Sequence, residues 1–445
     1  MAVVRLVDVT PDPLALARAL AGRPGLAVLA SRPQGAPRAD DARWSFVACD
    51  PVASSDDLVP DGGVREARVG PAPLWIGVIP YESLRSLERP AWTREPDDRR
   101  ACGLPRPSWR RYDAVARIDH RSGRVTVVGD HDTAVASLAR ALRRSSVRPA
   151  ADFELRLLPS EEADEAHAAN AHKERVRAAL RLIAAGDLFE VNLARRIPMG
   201  FRGDVLGLFE SLLDRAPAPW GFLHDLGSHV VCGTSPELAL SIRGDTMRTC
   251  PIKGTRPRGR DAADDACQAR ALDADPKERA ELTMAIDVHR NDLGRVAEPG
   301  TVRVLGDPRV LGGRTVWSRV AEVVGRRAPG ATLEQIARAV LPCGSVTGAP
   351  KVRAMEVIAR LEPWRRGVYT GVVGYLGRDG ALELAMAIRT VEISSAAPSS
   401  ASRPAAYFTG GGIVADSDPD RELEETRWKA TQLPVEENAS LQASL

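Results

Sequence analysis

Val368–Ile393, VYTGVVGYLGRDGALELAMAIRTVEI, holds two strand-like runs in succession, VYTGVVGYL and LELAMAIRTVEI, and AYFTGGGIV follows at 406–414. β-Branched and aromatic residues are most frequent in VYTGVVGYL and AYFTGGGIV, as strands favour. Upstream, GFLHDL (221–226), HVVCG (229–233) and LALSI (238–242) form a second such group. Helical periods stand apart from these groups, at 167–186, 205–216, 278–296 and 351–362. Strands in adjacent runs with helices kept separate predict an α+β fold with antiparallel sheets, in place of a regular βαβ alternation. Residues 1–150 read as a mixed N-terminal region, with strand-like LAVLA, WSFVA, LWIGVIPY and RVTVVG among loops. The polar stretch 145–163 marks a boundary before a main region at 165–435. SSAAPSSASRPAA (394–406) reads as a flexible hairpin extension, and the polar tail after Pro434 as a frayed end.

A chain of 445 residues with 44% hydrophobic content buries a large core. Its net charge of +2 gives no electrostatic case for nucleic acid. Six cysteines (49, 102, 232, 250, 267 and 343) lack metal-ligand spacing and suit free thiols in a reducing compartment. No apolar run reaches the roughly 18–20 residues of a membrane helix. The N-terminus breaks at Asp8 and Pro11, so no signal-peptide core is visible. A soluble cytoplasmic protein is expected.

The segment Cys250–Gly259, CPIKGTRPRG, puts Lys253 between Pro, Gly and Thr with arginines just beyond. Such an amine is either a solvated charge or a nucleophile held in a pocket. Glu278 and Glu281 lie three apart on one helix, as do Glu422 and Glu425 on another that starts after Pro419. Each pair is either a solvated face or half of a site that offers carboxylates to a hard cation such as Mg²⁺. Gly410–Gly412 ends a strand, which suits a turn or a backbone that meets an anion closely. Arg389 closes an apolar strand, where its guanidinium needs a partner, and a ligand carboxylate suits its fork. Thr347, in GSVTGAPK (344–351), either meets an anion at the next helix or caps that helix.

Taken in order, PIKGTRPRG, KERAELTMAIDVHRNDLGRV, GSVTGAPKVRAMEVI, GVVGYL, AIRT and GGGIVADSDPDRELEETRWKA resemble the signatures of the chorismate-utilising enzymes, over roughly 170–432. ARWSFVACDP (42–51) is similar to that family's N-terminal region. The resemblance implies the fold of the anthranilate synthase large subunit, with central antiparallel sheets packed together and helices outside. It places Mg²⁺ between Glu281 and Glu425, with Glu278 and Glu422 in support, holding the ring carboxylate of chorismate. Arg389, Tyr375 and the amides of Gly411 and Gly412 match positions that hold the enolpyruvyl carboxylate. Glu237 matches the general acid that protonates the departing 4-hydroxyl. Lys429 matches a lysine beside the metal carboxylates.

Lys253 selects a branch within the resemblance. PIKGT is typical of aminodeoxychorismate synthase component I, whereas anthranilate synthases carry alanine at this place. The lysine amine is expected to attack C2 as the 4-hydroxyl leaves, after which ammonia adds at C4 and expels the lysine. The product, 4-amino-4-deoxychorismate, is the precursor of 4-aminobenzoate on the way to folate. A neutral amine is needed, and Arg256 and the metal are expected to lower its pKa. Anthranilate synthase component I is the alternative, followed by a weakened homologue that binds chorismate or a glutaminase. Two departures bear on this. Glu190 stands where amine-adding members have Gln and water-adding members Lys, and Glu322 where most members have a His near the substrate. No glutaminase sequence is present, so ammonia is expected from a glutamine amidotransferase subunit or from solution.

Overall fold

The computed structural model describes residues 2–62, 70–85, 87, 99–101, 103–144, 151–158, 165–396 and 401–435. Most of the expected boundary at 145–163, the hairpin tip at 397–400 and the tail from 436 lie outside the described residues.

Two large antiparallel sheets carry the fold. The first has 12 strands. It runs from the edge strand Val3–Val7 through Arg124–Gly129, Ala114–Asp119, Trp44–Ala48 and Ala27–Ala30, and continues with Trp220–Asp225, His229–Ser235, Thr390–Ser394, Arg403–Ile413 and Glu190–Gly203. The second has 9 strands, with Pro73–Ile79, Val372–Gly377, Leu382–Met386 and Leu238–Arg243 as neighbours at its centre. N-terminal strands therefore enter both sheets: Ala27–Ala30 pairs with Trp220–Asp225, and Pro73–Ile79 with Val372–Gly377. The fold is the expected mixed α+β type with antiparallel sheets.

Alternating residues of the two sheets meet between them. The rings of Phe46 and Tyr375 lie 5.4 Å apart there, and Val78, Phe222, Val231 and Val373 share one buried cluster. Helices cover the outer faces. Val205–Arg215 buries Leu206, Leu208, Phe209, Leu212 and Leu213 against the first sheet, and each such side chain contributes about 1.5–3 kcal/mol. Pro276–Gly294 places Leu282, Ile286 and Leu293 in the core behind the second.

The structure divides one run that reads as a single strand. LELAMAIRTVEI separates into Leu382–Met386 in the second sheet and Thr390–Ser394 in the first. Arg389 sits at the crossing with φ 52°, a left-handed conformation costly for a residue with a Cβ. The longest strand, Glu190–Gly203, carries no alternation clear enough to announce it. It is fixed by its partner, in register from Val191↔Ile413 to Phe201↔Arg403. The lysine segment, which reads as a loop, forms the strand Ile252–Pro257 against Val316–Val320. A bulge at Gly254, with φ 76°, shifts the register just after Lys253 and re-aims the side chains around it.

Candidate active site

Both acidic helices begin with Asp-Pro. Asp275 caps the helix Pro276–Gly294, accepting from the amides of Lys277 at 3.0 Å and Glu278 at 3.3 Å. Asp418 caps the helix Pro419–Ala430, accepting from Asp420 at 3.1 Å and Arg421 at 3.0 Å. A capping carboxylate followed by Pro at the first helical position fixes each start sharply, and so fixes the face on which each glutamate pair lies. The helices bring Glu278, Glu281 and Glu425 to one polar cavity of about 990 Å³, counted with its mouth.

Glu278, Glu281 and Glu425 line this cavity, with Lys277 and Lys429 among them. Lys277 Nζ stands 3.6 Å from Glu281 on its own helix and 3.5 Å from Glu422 on the other. Lys429 Nζ donates to Glu425 and, at 2.8 Å, to the carbonyl of Gly410. Among the described residues, no three His, Cys, Asp or Glu side chains stand close enough together to hold a metal as they are. The donor set nevertheless fits a hard cation. Glu422 Oε2 is buried with no hydrogen-bond partner, and burial followed by carboxylate neighbours pushes Glu278 and Glu422 up from the ordinary carboxylate range. Burial also lifts Glu281, to about 7. Glu425 alone is lowered: burial opposes this, and Lys429 outweighs it.

Lys253 lies inside the cavity wall, 8% exposed, and donates to Glu190 Oε1; Glu190 is 2% exposed. Asn192 Nδ2 reaches the same oxygen at 3.4 Å. Gly412 makes this approach possible, because a Cβ there would stand 2.5 Å from Glu190 Oε1 and 3.0 Å from Lys253 Nζ. Burial by itself favours the neutral amine, but the carboxylates of Glu190, Glu281 and Glu237 more than offset it and raise the Lys253 pKa. The resting lysine is therefore an ammonium. This corrects the expectation that Arg256 lowers it, since Arg256 turns away to Asp275 at 2.9 Å.

Glu237, 3% exposed, lines the cavity beside Lys253 and accepts from Ser345 Oγ at 2.5 Å. Burial raises its carboxyl to about 7, against the pull of Ser345 and Lys253. Opposite, Arg389 reaches the cavity from the crossing between the sheets. Its guanidinium has no hydrogen bond or ion pair to the described residues, and burial lowers its pKa. An unpaired cation lining a polar cavity invites an anion.

Several expected residues are placed elsewhere. Tyr375 points between the sheets onto Phe46, because strand alternation sends it away from the cavity; Tyr369, before the strand begins, lines the cavity instead. Thr347 is fully buried and donates to the Cys343 carbonyl at 2.9 Å, leaving Ser345 and Val346 at the surface of the cavity. Glu322 accepts from Arg38 at 2.6 Å, Arg309 at 2.8 Å and Arg248 at 3.0 Å, so it belongs to an arginine cluster. Ser318, four residues earlier, is the one that lines the cavity. Gly410 and Gly412 line it too, whereas a Cβ on Gly411 would face Glu422 and Glu425, at 3.3 Å from each. Sequence reasoning also passed over Arg366, 1% exposed, which donates to the carbonyls of Asn192 at 2.8 Å and Val346 at 3.1 Å and to Thr370 Oγ1 at 3.1 Å. It ties three segments of the cavity wall together, and only the fold makes them neighbours.

Such a fold around such a cavity defines an enzyme class: residues 36–434 match the chorismate binding enzyme family, and the chain belongs to it. Among curated relatives, the chain is 38% identical over 420 residues to anthranilate synthase component 1 of Streptomyces coelicolor, covering 87% of this chain and 80% of that protein. It is also 38% identical over 367 residues to the protein of that name from Thermus thermophilus, covering 80% and 76%. Its structure superposes on the crystal structure of anthranilate synthase component I from Streptococcus pneumoniae with a TM-score of 0.73 at 27% identity, covering 88% and 92%. The menaquinone-specific isochorismate synthase of Escherichia coli shares the fold, with a TM-score of 0.71 at 19% identity over 97% and 94%. Among the described residues no helix is long and apolar enough to cross a membrane.

Proposed function

We propose that this chain aminates chorismate at C4, giving 4-amino-4-deoxychorismate with ammonia supplied by a glutamine amidotransferase partner or from solution. The observation that carries the reading is the position of Lys253. Its amine is in the cavity, in contact with Glu190 and beside Glu237, with the free guanidinium of Arg389 lining the same cavity. In this reading Arg389 and Tyr369 receive the enolpyruvyl carboxylate, and the charge-assisted contact orients the ring. Glu237, held near neutrality, gives its proton to the 4-hydroxyl, which leaves as water. Lys253 forms the bond at C2 that ammonia later displaces from C4. Glu281 and Glu425, supported by Glu278 and Glu422, would hold a Mg²⁺ ion, whose chemistry is to neutralise and fix the ring carboxylate. Lys429 keeps Glu425 ionised.

The relatives favour a second reading more directly. Both curated proteins compared above are named anthranilate synthase component 1, and an anthranilate synthase places nitrogen at C2 and releases pyruvate. Shared framework at 38% identity does not decide one carbon against another, because that choice rests on single residues of the site. Chorismate, Mg²⁺ and ammonium incubated with the enzyme decide it. A non-aromatic amine that keeps its enolpyruvyl group supports C4 amination, and anthranilate with prompt pyruvate release supports the second reading. Lys253→Ala abolishes 4-amination if the lysine acts covalently; a full rate in that variant ends the covalent mechanism.

A further inference from the structure

Lys253 must be neutral to act as a nucleophile, yet the cavity holds it as an ammonium. The groups acting on it come from several elements: Glu190 from the long strand, Glu237 from the turn before Leu238, Glu281 from the first acidic helix and Glu425 from the second. His289, buried on the first acidic helix, also feels its charge. Among the described residues, Glu190 is the one in hydrogen-bond contact with Nζ. Its backbone is paired with Ala349 at the sheet edge, Asn192 Nδ2 approaches its Oε1, and Gly412, without a Cβ, leaves room for acid and amine to meet.

We propose that Glu190 is the proton acceptor for Lys253, an assignment that rests on the covalent-lysine reading above. The ammonium gives one proton to Glu190, leaving a neutral amine and a carboxylic acid. The amine forms its bond to C2 while Glu237 protonates the departing 4-hydroxyl, which leaves as water. Ammonia then forms the C4–N bond and expels the lysine as a neutral amine. Lys253 recovers its proton from Glu190, and Glu237 recovers one from the new C4 ammonium. The net change is chorismate plus ammonia to aminodeoxychorismate plus water. The first transfer moves a proton within a buried pair and changes no net charge there, so it asks less than releasing a proton to solvent.

Glu190→Gln keeps the shape and the hydrogen bond while removing the acceptor. It should still bind chorismate by calorimetry and lose about 10²-fold or more in amination rate. Its pH profile should separate a base from a structural partner. In wild type, the reactive and resting forms of the pair carry the same number of protons, so below pH 7, where Glu237 keeps its proton, the pair itself adds no slope to the rate. In the glutamine variant, the lysine must lose its proton to water, so the rate should climb about tenfold per pH unit over the same range. A wild-type rate and a flat profile in Glu190→Gln overturn the proposal. Mass spectrometry of the Lys253 peptide after incubation with chorismate alone tests the underlying reading separately. An adduct at Lys253 alongside an unaffected Glu190→Gln enzyme discards Glu190 and keeps the covalent lysine, whereas no adduct in wild type discards both.

Discussion

Replacing Lys253 by methionine keeps most of the side-chain volume and deletes only the charge and the donor. It leaves Glu190, 2% exposed, as a buried carboxylate stripped of its ion-pair partner. Breaking a buried pair from one side costs about 3–5 kcal/mol, most of it the penalty of the stranded charge. An unfolding entropy near 2.1 cal/mol/K per residue gives roughly 0.9 kcal/mol/K for a chain of 445 residues, so Lys253→Met should lower Tm by about 3–5 °C at pH 8. The pH dependence has a definite sign. The folded-state pKa of Lys253 is raised, so its stabilisation is fully present below the unfolded lysine value and does not vary between pH 5 and 8. Adding Glu190→Gln to Lys253→Met removes the stranded charge and should recover most of the lost Tm, a coupling that a double-mutant cycle reads directly. Differential scanning calorimetry of the four proteins is the assay. A Lys253→Met protein that melts with wild type at pH 8, or a double variant no better than the single one, refutes the argument that these two charges depend on each other.

Glu237→Gln should lower the amination rate by about 10²–10⁴ with little change in chorismate affinity, and wild-type kcat/KM should fall as pH rises through about 7, where the buried acid loses its proton. Arg389→Gln removes a cavity-lining guanidinium that has no partner among the described residues and should weaken chorismate binding by about 1.5–3 kcal/mol, read by isothermal calorimetry. Gly412→Ala pushes a methyl against Glu190 and Lys253 and should cost about 1–3 kcal/mol in thermal stability together with activity. Chelation should abolish turnover and added Mg²⁺ restore it, while Glu425→Gln should weaken Mn²⁺ binding measured by electron paramagnetic resonance.

Much of the site is legible along the chain. Three-residue spacing puts Glu278 with Glu281 and Glu422 with Glu425, and each pair lies on a helix, the second starting at Pro419 as read. Arg389 at the end of an apolar run reads as a cation in need of a partner, and the cavity contains it unpaired. Tyr375 shows where such reading stops. Its motif is clear, but strand register turns its ring onto Phe46, and Tyr369 in the preceding turn reaches the cavity. Glu322 likewise sits in a recognisable segment, yet its partners Arg38 and Arg248 come from distant stretches.

Helix starts, strand-forming runs and the spacing of carboxylates depend on neighbours a few residues away, so the sequence by itself determined the α+β class, the two acidic helices and the presence of Lys253 in a glycine-bounded segment. Which side chains share the cavity depends on register and on sheet crossing, which are long-range properties. Asn192↔Gly412 pairing and the bulge at Gly254 bring together Glu190 and Lys253, 63 residues apart in the chain. Only the tertiary structure sets that ammonium against a buried carboxylate, because the carboxylates that offset its burial come from separate elements of the fold.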